Sequence, residues 1–384
     1  MVTDPYNGNV NSIAAAAGLA VLLATGTDAR QSVAVAVAVA AAADRAAPES
    51  AAADRAIPQS IAAWSSSGPE LNQVNAISPD PDADAWLYAI GSLYGASESV
   101  VYGSEDAART WDALEAAPRG EYFAEVFADP RGLGRVFAGS QPAGGGTRIS
   151  RSTDSGVQWS TILTMPEGCV PSFAAGSGSD GIVLACFTRA LVSPDAGVTW
   201  SEPPNPFTES MKLTAAPGGV IVAYGATSIF RSADGGATWT AAGSAPSACP
   251  GILTLRVDPG NTSVLLAGTG VIGAGFQCGG VYRSTDGGVS WTATALTGVY
   301  VTDVRFGPSG TGAAYACASY IAGILPRGGA WKSGDGGVSW QNLRLPTTGA
   351  LKIAVSKSGR HVYAATPQGV FVLTSRKTRV TRPK

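Results

Sequence analysis

The sequence predicts an all-β, seven-bladed β-propeller with four-stranded blades, closed by an N-terminal strand in the last blade. Three observations predict it. An eight-residue pattern, S-x-D-x-G-x-[TS]-W, recurs six times. The Trp-to-Trp spacings are 48, 41, 39, 52 and 49 residues, the length of one four-stranded blade. After the last copy come three more strand signals, LKIAVSKSGR, HVYAATPQ and GVFVLTS, which lack a fourth.

The copies are SEDAARTW (104–111), STDSGVQW (152–159), SPDAGVTW (193–200), SADGGATW (232–239), STDGGVSW (284–291) and SGDGGVSW (333–340). Each lies between two strand signals and reads as a hairpin turn, with the second strand beginning at the Trp. The Asp carboxylate can accept backbone N–H groups of its own turn. Gly supplies a positive φ, and Trp is an apolar plug between neighbouring sheets. Ala108 replaces Gly in the first copy and Gln158 replaces Thr in the second, so these two turns are expected to be less regular. The aspartates Asp106, Asp154, Asp195, Asp234, Asp286 and Asp335 are read as structural. They fall on C–D turns, the face opposite the D–A and B–C loops.

The strand frame is clearest in two blades. In blade 5 the strands are 253–257, 264–268, 281–284 and 289–294. In blade 6 they are 301–306, 313–318, 330–333 and 338–343. Blade 7 takes its missing strand from residues 61–67 (IAAWSSS), where Trp64 stands like the other Trp-led strands. Such a ring leaves no open sheet edge. The organisation expected is an Ala/Val-rich leader over 1–59, the propeller over 60–375 and a basic tail over 376–384.

Composition excludes several classes of function. The 26 basic residues are balanced by 28 acidic ones, which argues against a nucleic-acid footprint. The single histidine, His361, and the absence of any CxxC argue against a metal site. No cofactor is expected. Residues 12–26 are apolar but short for a membrane span, so no span is expected. They resemble the apolar region of an export signal without its usual preceding positive charge, and a disordered or weakly helical leader is the other reading.

The repeated motif resembles the Asp-box, or BNR-repeat, propeller superfamily. That group includes sialidases, xyloglucanase-type glycoside hydrolases, sortilin-type receptors and photosystem-assembly propellers. The resemblance covers nearly all of the chain after residue 60 and is silent on function, because one fold hosts unrelated activities. A sialidase needs an Arg-Ile-Pro segment ahead of the first box. Only Arg55-Ala56-Ile57-Pro58 approaches it, and its insertion breaks the match. Xyloglucanase-type enzymes share the repeat texture VLLAGTG…GGVYRSTDGGVSW, but place their carboxylates between two propellers, and this chain has one.

The candidate ligand face is therefore the D–A/B–C loop face. Upper positions of the innermost strands read Glu125, Lys212, Thr254, Asp303 and Lys352, approaching the central channel with alternating sign. Long B–C loops in blades 1, 2, 5 and 6 would project Tyr94, Phe276, Tyr320 and Arg327. No catalytic residue is assigned. The reading is a non-catalytic binding or assembly scaffold for a protein or glycan, with a glycoside hydrolase using acids such as Asp303 and Glu125 as the alternative. A photosystem-assembly factor is a third reading.

The frame also orders the cysteines. Cys249 enters blade 5 on the loop face and Cys278 lies in the B–C loop of that blade. Cys169 precedes the first strand of blade 3 and Cys186 ends its second. Both pairs are expected to bond, leaving Cys317 a buried thiol. Two disulfides would imply an oxidising compartment, hence export.

Overall fold

A computed structural model of the chain describes residues 63–69, 72–93, 98–175, 180–273, 276–319 and 328–374. The leader and the basic tail lie outside the described residues. Seven antiparallel sheets form the described part, with one short 3-10 turn at Pro217–Gly219. Blade 1 holds β2 (Asn72–Pro79), β3 (Leu87–Leu93), β4 (Val100–Ser104) and β5 (Asp112–Ala113). Blade 2 holds β6 (Glu121–Ala128), β7 (Val136–Pro142), β8 (Thr147–Ser152) and β9 (Ser160–Met165). Blade 3 holds β10 (Ser172–Ala175), β11 (Ile182–Cys186) and β12 (Arg189–Ser193), and its outer strand is reduced to a single bridge, Val192 to Ser201.

Blade 4 holds β13 (Lys212–Ala215), β14 (Ile221–Tyr224), β15 (Ser228–Ser232) and β16 (Thr240–Ser244). Blade 5 holds β17 (Ile252–Asp258), β18 (Asn261–Gly273), β19 (Phe276–Ser284) and β20 (Thr292–Thr297). Blade 6 holds β21 (Tyr300–Phe306), β22 (Ala314–Ser319), β23 (Gly329–Ser333) and β24 (Gln341–Asn342). Blade 7 holds β25 (Lys352–Val355), β26 (His361–Thr366) and β27 (Gly369–Thr374), and β1 (Trp64–Ser66) completes it. Trp64, Ser65 and Ser66 pair with Leu373, Val372 and Phe371. This is the ring closure that the sequence predicts. On the opposite face Asp84 of blade 1 accepts the Ser358 N–H of blade 7 at 2.8 Å, a second tie across the same seam.

The core consists of seven apolar layers, one between each pair of adjacent blades, and every layer contains a tryptophan from a repeat turn or its equivalent; the layer between blades 5 and 6 holds Trp331 as well. Trp111 packs between blades 7 and 1, Trp159 between 1 and 2 and Trp200 between 2 and 3. Trp239, Trp291 and Trp340 continue the series. Trp64 fills the last layer, beside Leu343 and Leu373, and donates its Nε1–H to the Leu343 carbonyl at 2.8 Å. It is the seventh equivalent of the repeat tryptophans.

The repeat turns explain how each tryptophan is delivered. In the turn of blade 6 the Ser333 hydroxyl donates to Asp335 at 2.7 Å and accepts the Gly337 N–H at 2.8 Å. Asp335 also accepts the Ser339 N–H and hydroxyl. The same set closes the turns led by Asp106, Asp195, Asp234 and Asp286. Gln158 cannot supply the hydroxyl, so Asp154 keeps only backbone N–H and Ser152 partners. The first turn differs from expectation. It retains every bond of the set, and Ala108 adopts the left-handed conformation of the glycine it replaces, at φ of 66°.

Two further differences concern strand ends. The outer strands of blades 1, 2, 4, 5 and 6 begin one residue after the tryptophan rather than at it, whereas β1 of blade 7 begins at Trp64. The Gly-rich segment of blade 5 is not a loop. β18 and β19 pair continuously out to Gly273 and Phe276, forming a β-ribbon beyond the blade.

Gly337 has a φ of +94°, and a Cβ there would lie 2.5 Å from Leu266 of the preceding blade. Gly287 has a φ of +80° and open space around it. Gly287→Ala should therefore cost only backbone strain, about 1 kcal/mol, whereas Gly337→Ala should cost roughly 2–4 kcal/mol through strain plus overpacking. Urea denaturation of the two variants checks this, and equal losses would contradict the packing account.

Candidate functional site

Propeller geometry turns the innermost strand of each blade toward a common axis. In this chain those strands carry charge where a soluble ring would need none. Strand alternation places i and i+2 on one face, so Thr254 and Arg256 project together, as do Asp303 and Arg305. β-bulges re-aim side chains at the same height in four blades. The pairing skips Asn75, Ala124, Leu253 and Thr302. Ala76, Glu125, Thr254 and Asp303 follow the four bulges directly.

Asp303 is fully buried and saturated with donors. Its Oδ1 accepts the Thr254 hydroxyl at 3.0 Å and Arg256 Nη2 at 3.2 Å. Its Oδ2 accepts Arg305 Nε at 3.2 Å and the Ile353 N–H at 3.3 Å. Burial alone would raise the pKa of this carboxyl. Arg305, Arg256, Lys352 and the Ile353 N–H outweigh it and hold the pKa down at about 2. The carboxylate thus ties the first strands of blades 5, 6 and 7. With about four lone-pair sites all occupied, it has none left for a substrate.

Around this clasp lie Lys212, Tyr224, Lys352 and Glu125. Lys212 opens β13, faces Tyr224 in register and donates its Nζ to the Leu253 carbonyl at 2.9 Å. It is exposed by surface area yet surrounded by protein groups. Burial, with Lys352 and Arg256 nearby, lowers its pKa against the opposing pull of Tyr224 and Glu125. Tyr224 is buried, which would raise its pKa, but Arg256, Lys212 and Lys352 bring it down. Glu125 acts on Lys212, Arg256 and Arg305, which stand on blades 4, 5 and 6. One residue of blade 2 reaches all three only across the axis.

Of the sequence candidates, Glu125, Lys212, Asp303 and Lys352 therefore share one electrostatic cluster. Tyr94, Tyr320 and Arg327 lie outside the described residues, and Phe276 is placed only as the first residue of β19. Arg256, Arg305 and Tyr224 escaped the sequence reading. The period-two rule applied to Thr254 and Asp303 would have found both arginines.

Three other carboxylates of the loop face are also engaged. Glu167 and Glu202 share Arg189 at 3.1 and 2.7 Å. Glu209 accepts the Ala226 N–H at 2.8 Å and the Ser228 N–H at 2.8 Å, buttressing the B–C turn of blade 4. The same face carries both disulfides. Cys169 joins Cys186 with a Cα separation of 5.7 Å, and Cys249 joins Cys278, on the ribbon, at 5.6 Å. Cys317 is buried under the Thr302 bulge, 3.3 Å from the Thr302 hydroxyl, and burial pushes its thiol up to about 12. Among the described residues no group of His, Cys, Asp and Glu is arranged to hold a metal ion. No helix among them is long and apolar enough to cross a membrane.

No known family profile matches the chain. A xyloglucanase from Paenibacillus sp is 28% identical over 189 residues, 46% of this chain and 17% of that enzyme. The chain thus spans less than a fifth of the curated relative's length. Among solved structures, YCF48 from Cyanidioschyzon merolae superposes with a TM-score of 0.61 at 17% identity, over 83% of this chain and 100% of that one. YCF48 bound to D1 peptide gives 0.61 at 14% identity, over 85% and 99%. An ancestral GH74 enzyme gives 0.63 at 15% identity, over 82% of this chain and 46% of the enzyme. These likenesses show the fold.

Replacing Asp303 by Asn leaves Arg256 and Arg305 without their counter-ion and should destabilise the fold by roughly 3–5 kcal/mol. Because its folded pKa lies below the ordinary value of 3.8, the stability it contributes is complete above about pH 4 and is lost as the pH falls toward 2. Denaturant titrations of wild type and Asp303→Asn across that range should converge at the acid end. Alkylation without reductant should label no cysteine in the native protein and one, Cys317, after denaturation. Five labelled thiols would contradict both disulfides.

Proposed function

We propose that this chain is a non-catalytic Asp-box propeller that binds a protein partner on its D–A/B–C loop face. The observation that carries the reading is the engagement of Asp303, the best-placed carboxyl in the channel, by two arginines, a hydroxyl and a backbone N–H. A glycosidase needs a carboxyl pair, one of them held protonated as general acid. Among the described carboxyls, every one whose pKa departs from its ordinary value is displaced downward. The six repeat aspartates serve the turns, on the face away from the partner. The similarity to YCF48, one structure of which is described as bound to D1 peptide, supports a peptide or protein as the ligand of such a ring. The two disulfides support an oxidising compartment, hence export.

A second reading, glycoside hydrolysis, is favoured by the 28% identity to a xyloglucanase over 189 residues. In that reading Glu125 is the remaining channel acid. Peptide and glycan arrays, run beside a reducing-end assay on xyloglucan, separate the two. The expected result is saturable binding to peptides with no release of reducing ends. Release that disappears in Glu125→Gln would establish the hydrolase, and glycan binding without peptide binding would overturn the choice of partner.

A further inference from the structure

The channel cluster is unbalanced in charge. Lys212, Arg256, Arg305 and Lys352 face only two carboxylates, Glu125 and Asp303. Asp303 is fully engaged by Arg256, Arg305, the Thr254 hydroxyl and the Ile353 N–H. Among the described residues, no carboxylate lies within ion-pair distance of the Lys212 or Lys352 ammonium. Lys212 spends one donor on the Leu253 carbonyl, a neutral partner, and keeps the others. Arg256 directs Nη1 to the Leu255 carbonyl and Nη2 to Asp303. Its Nε–H is buried with no partner. An orphaned donor on a buried guanidinium is costly.

The neighbouring groups are of the same kind. The Tyr224 side chain is buried, is hydrogen-bonded to Arg256 and stands in register with Lys212. Like charges gathered in a partly desolvated channel repel, and the downward displacement of Lys212 and Arg305 follows from burial together with that repulsion, whereas Arg256, despite burial, is displaced upward by Asp303 and Tyr224. A mobile anion would relieve all of these penalties at once. Monovalent chloride would cancel only part of an excess of two positive charges. A tetrahedral oxyanion matches both the excess charge and the number of free donors.

We infer that the axial channel beside blades 4–7 is a binding site for a small multivalent oxyanion of the phosphate or sulfate type, held by Lys212, Lys352, Tyr224 and the unpaired edge of Arg256. The site is complete within this chain and stands whether or not a protein docks on the loop face. Glu125 is its internal competitor. It supplies negative charge from across the axis, so it weakens the anion's hold rather than contributing to it.

The test is calorimetric titration with inorganic phosphate at constant ionic strength, with chloride as the balancing salt. A parallel titration uses glucose 6-phosphate. Saturable phosphate binding at millimolar concentration or below is expected, with a matching rise in Tm. Lys212→Met and Lys352→Met should each weaken binding by at least about tenfold. Glu125→Gln should tighten it several-fold, an effect that a purely structural role for these residues does not produce. Binding of the sugar ester comparable to that of phosphate would assign the site to phosphorylated ligands entering from the loop face. Binding of phosphate alone would assign it to the free ion. Absence of saturable binding would overturn the inference. So would affinities that stay the same in both lysine variants and in Glu125→Gln.

Discussion

Everything in this fold depends on sheets packing face to face around a closed ring, and the tryptophan in each layer is the side chain that makes the packing regular. A blade is a twisted sheet with two apolar faces. Neither face can stay exposed, so each blade requires a neighbour on both sides. Seven layers, each with an indole from a repeat turn or its equivalent, satisfy that requirement without a free face. The Ser–Asp–Gly turn is the device that holds the indole in place. Its serine is buried, its aspartate gathers the turn's donors, and its second glycine lets the backbone lie directly on the preceding blade. At Gly236, for example, a Cβ would lie 2.8 Å from Val183. The tryptophans Trp291 and Trp340 reach back to blades 4 and 5 through their indole N–H. The repeat is thus an interface motif as well as a turn.

The same radial packing creates the charged channel. Innermost strands converge at the axis, where neighbouring blades stand close enough for side chains of one to bond to the next. Thr254 and Arg256 of blade 5 meet Asp303 of blade 6, which meets the Ile353 N–H of blade 7. The chain spends a fully buried carboxylate here. A buried ion pair is costly unless every partner is satisfied, and Asp303 meets that condition with donors on both oxygens. The lysines and the Arg256 Nε do not meet it from within the chain. That imbalance distinguishes the clasp, which the fold completes alone, from the remainder of the cluster.

Much of this architecture is legible in the sequence because it repeats. Six aligned turns fix the blade length, the three strand signals after Trp340 leave one strand owing, and Trp64 supplies it. What the sequence hides is what does not repeat. The bulges at Asn75, Ala124, Leu253 and Thr302 fall on four different residue types with no Gly or Pro to announce them. They arise from the curvature each innermost strand adopts near the axis. Arg256 and Arg305 were legible in principle through strand alternation, yet reading one position per strand overlooks them. The ribbon of blade 5 misleads in the other direction. TGVIGAGFQCGG has a loop-like glycine content, but continuous antiparallel pairing from Leu265 with Ser284 out to Gly273 with Phe276 overrides that propensity. Ala108 shows a similar override. Tertiary packing holds a buried alanine in a left-handed conformation because the turn's hydrogen bonds and its layer require it there.

Where repetition builds the frame, function has to come from the positions that break the symmetry. Four blades with a bulged innermost strand place Ala76, Glu125, Thr254 and Asp303 at equivalent sites, an apolar, an acidic, a hydroxyl and an acidic residue. Packing sets no common demand at that position, since a layer residue would have been apolar in all four. The other charged residues of the channel, Lys212, Arg256, Asp303, Arg305 and Lys352, stand in blades 4 to 7, with Glu125 in blade 2. The disulfide of blade 5 anchors its ribbon on the loop face of that same side. The cation-rich part of the channel and the covalently fixed ribbon therefore belong to one half of the ring. A ligand entering from the loop face there meets positive charge already organised by Asp303, so little side-chain freedom remains to be lost on binding.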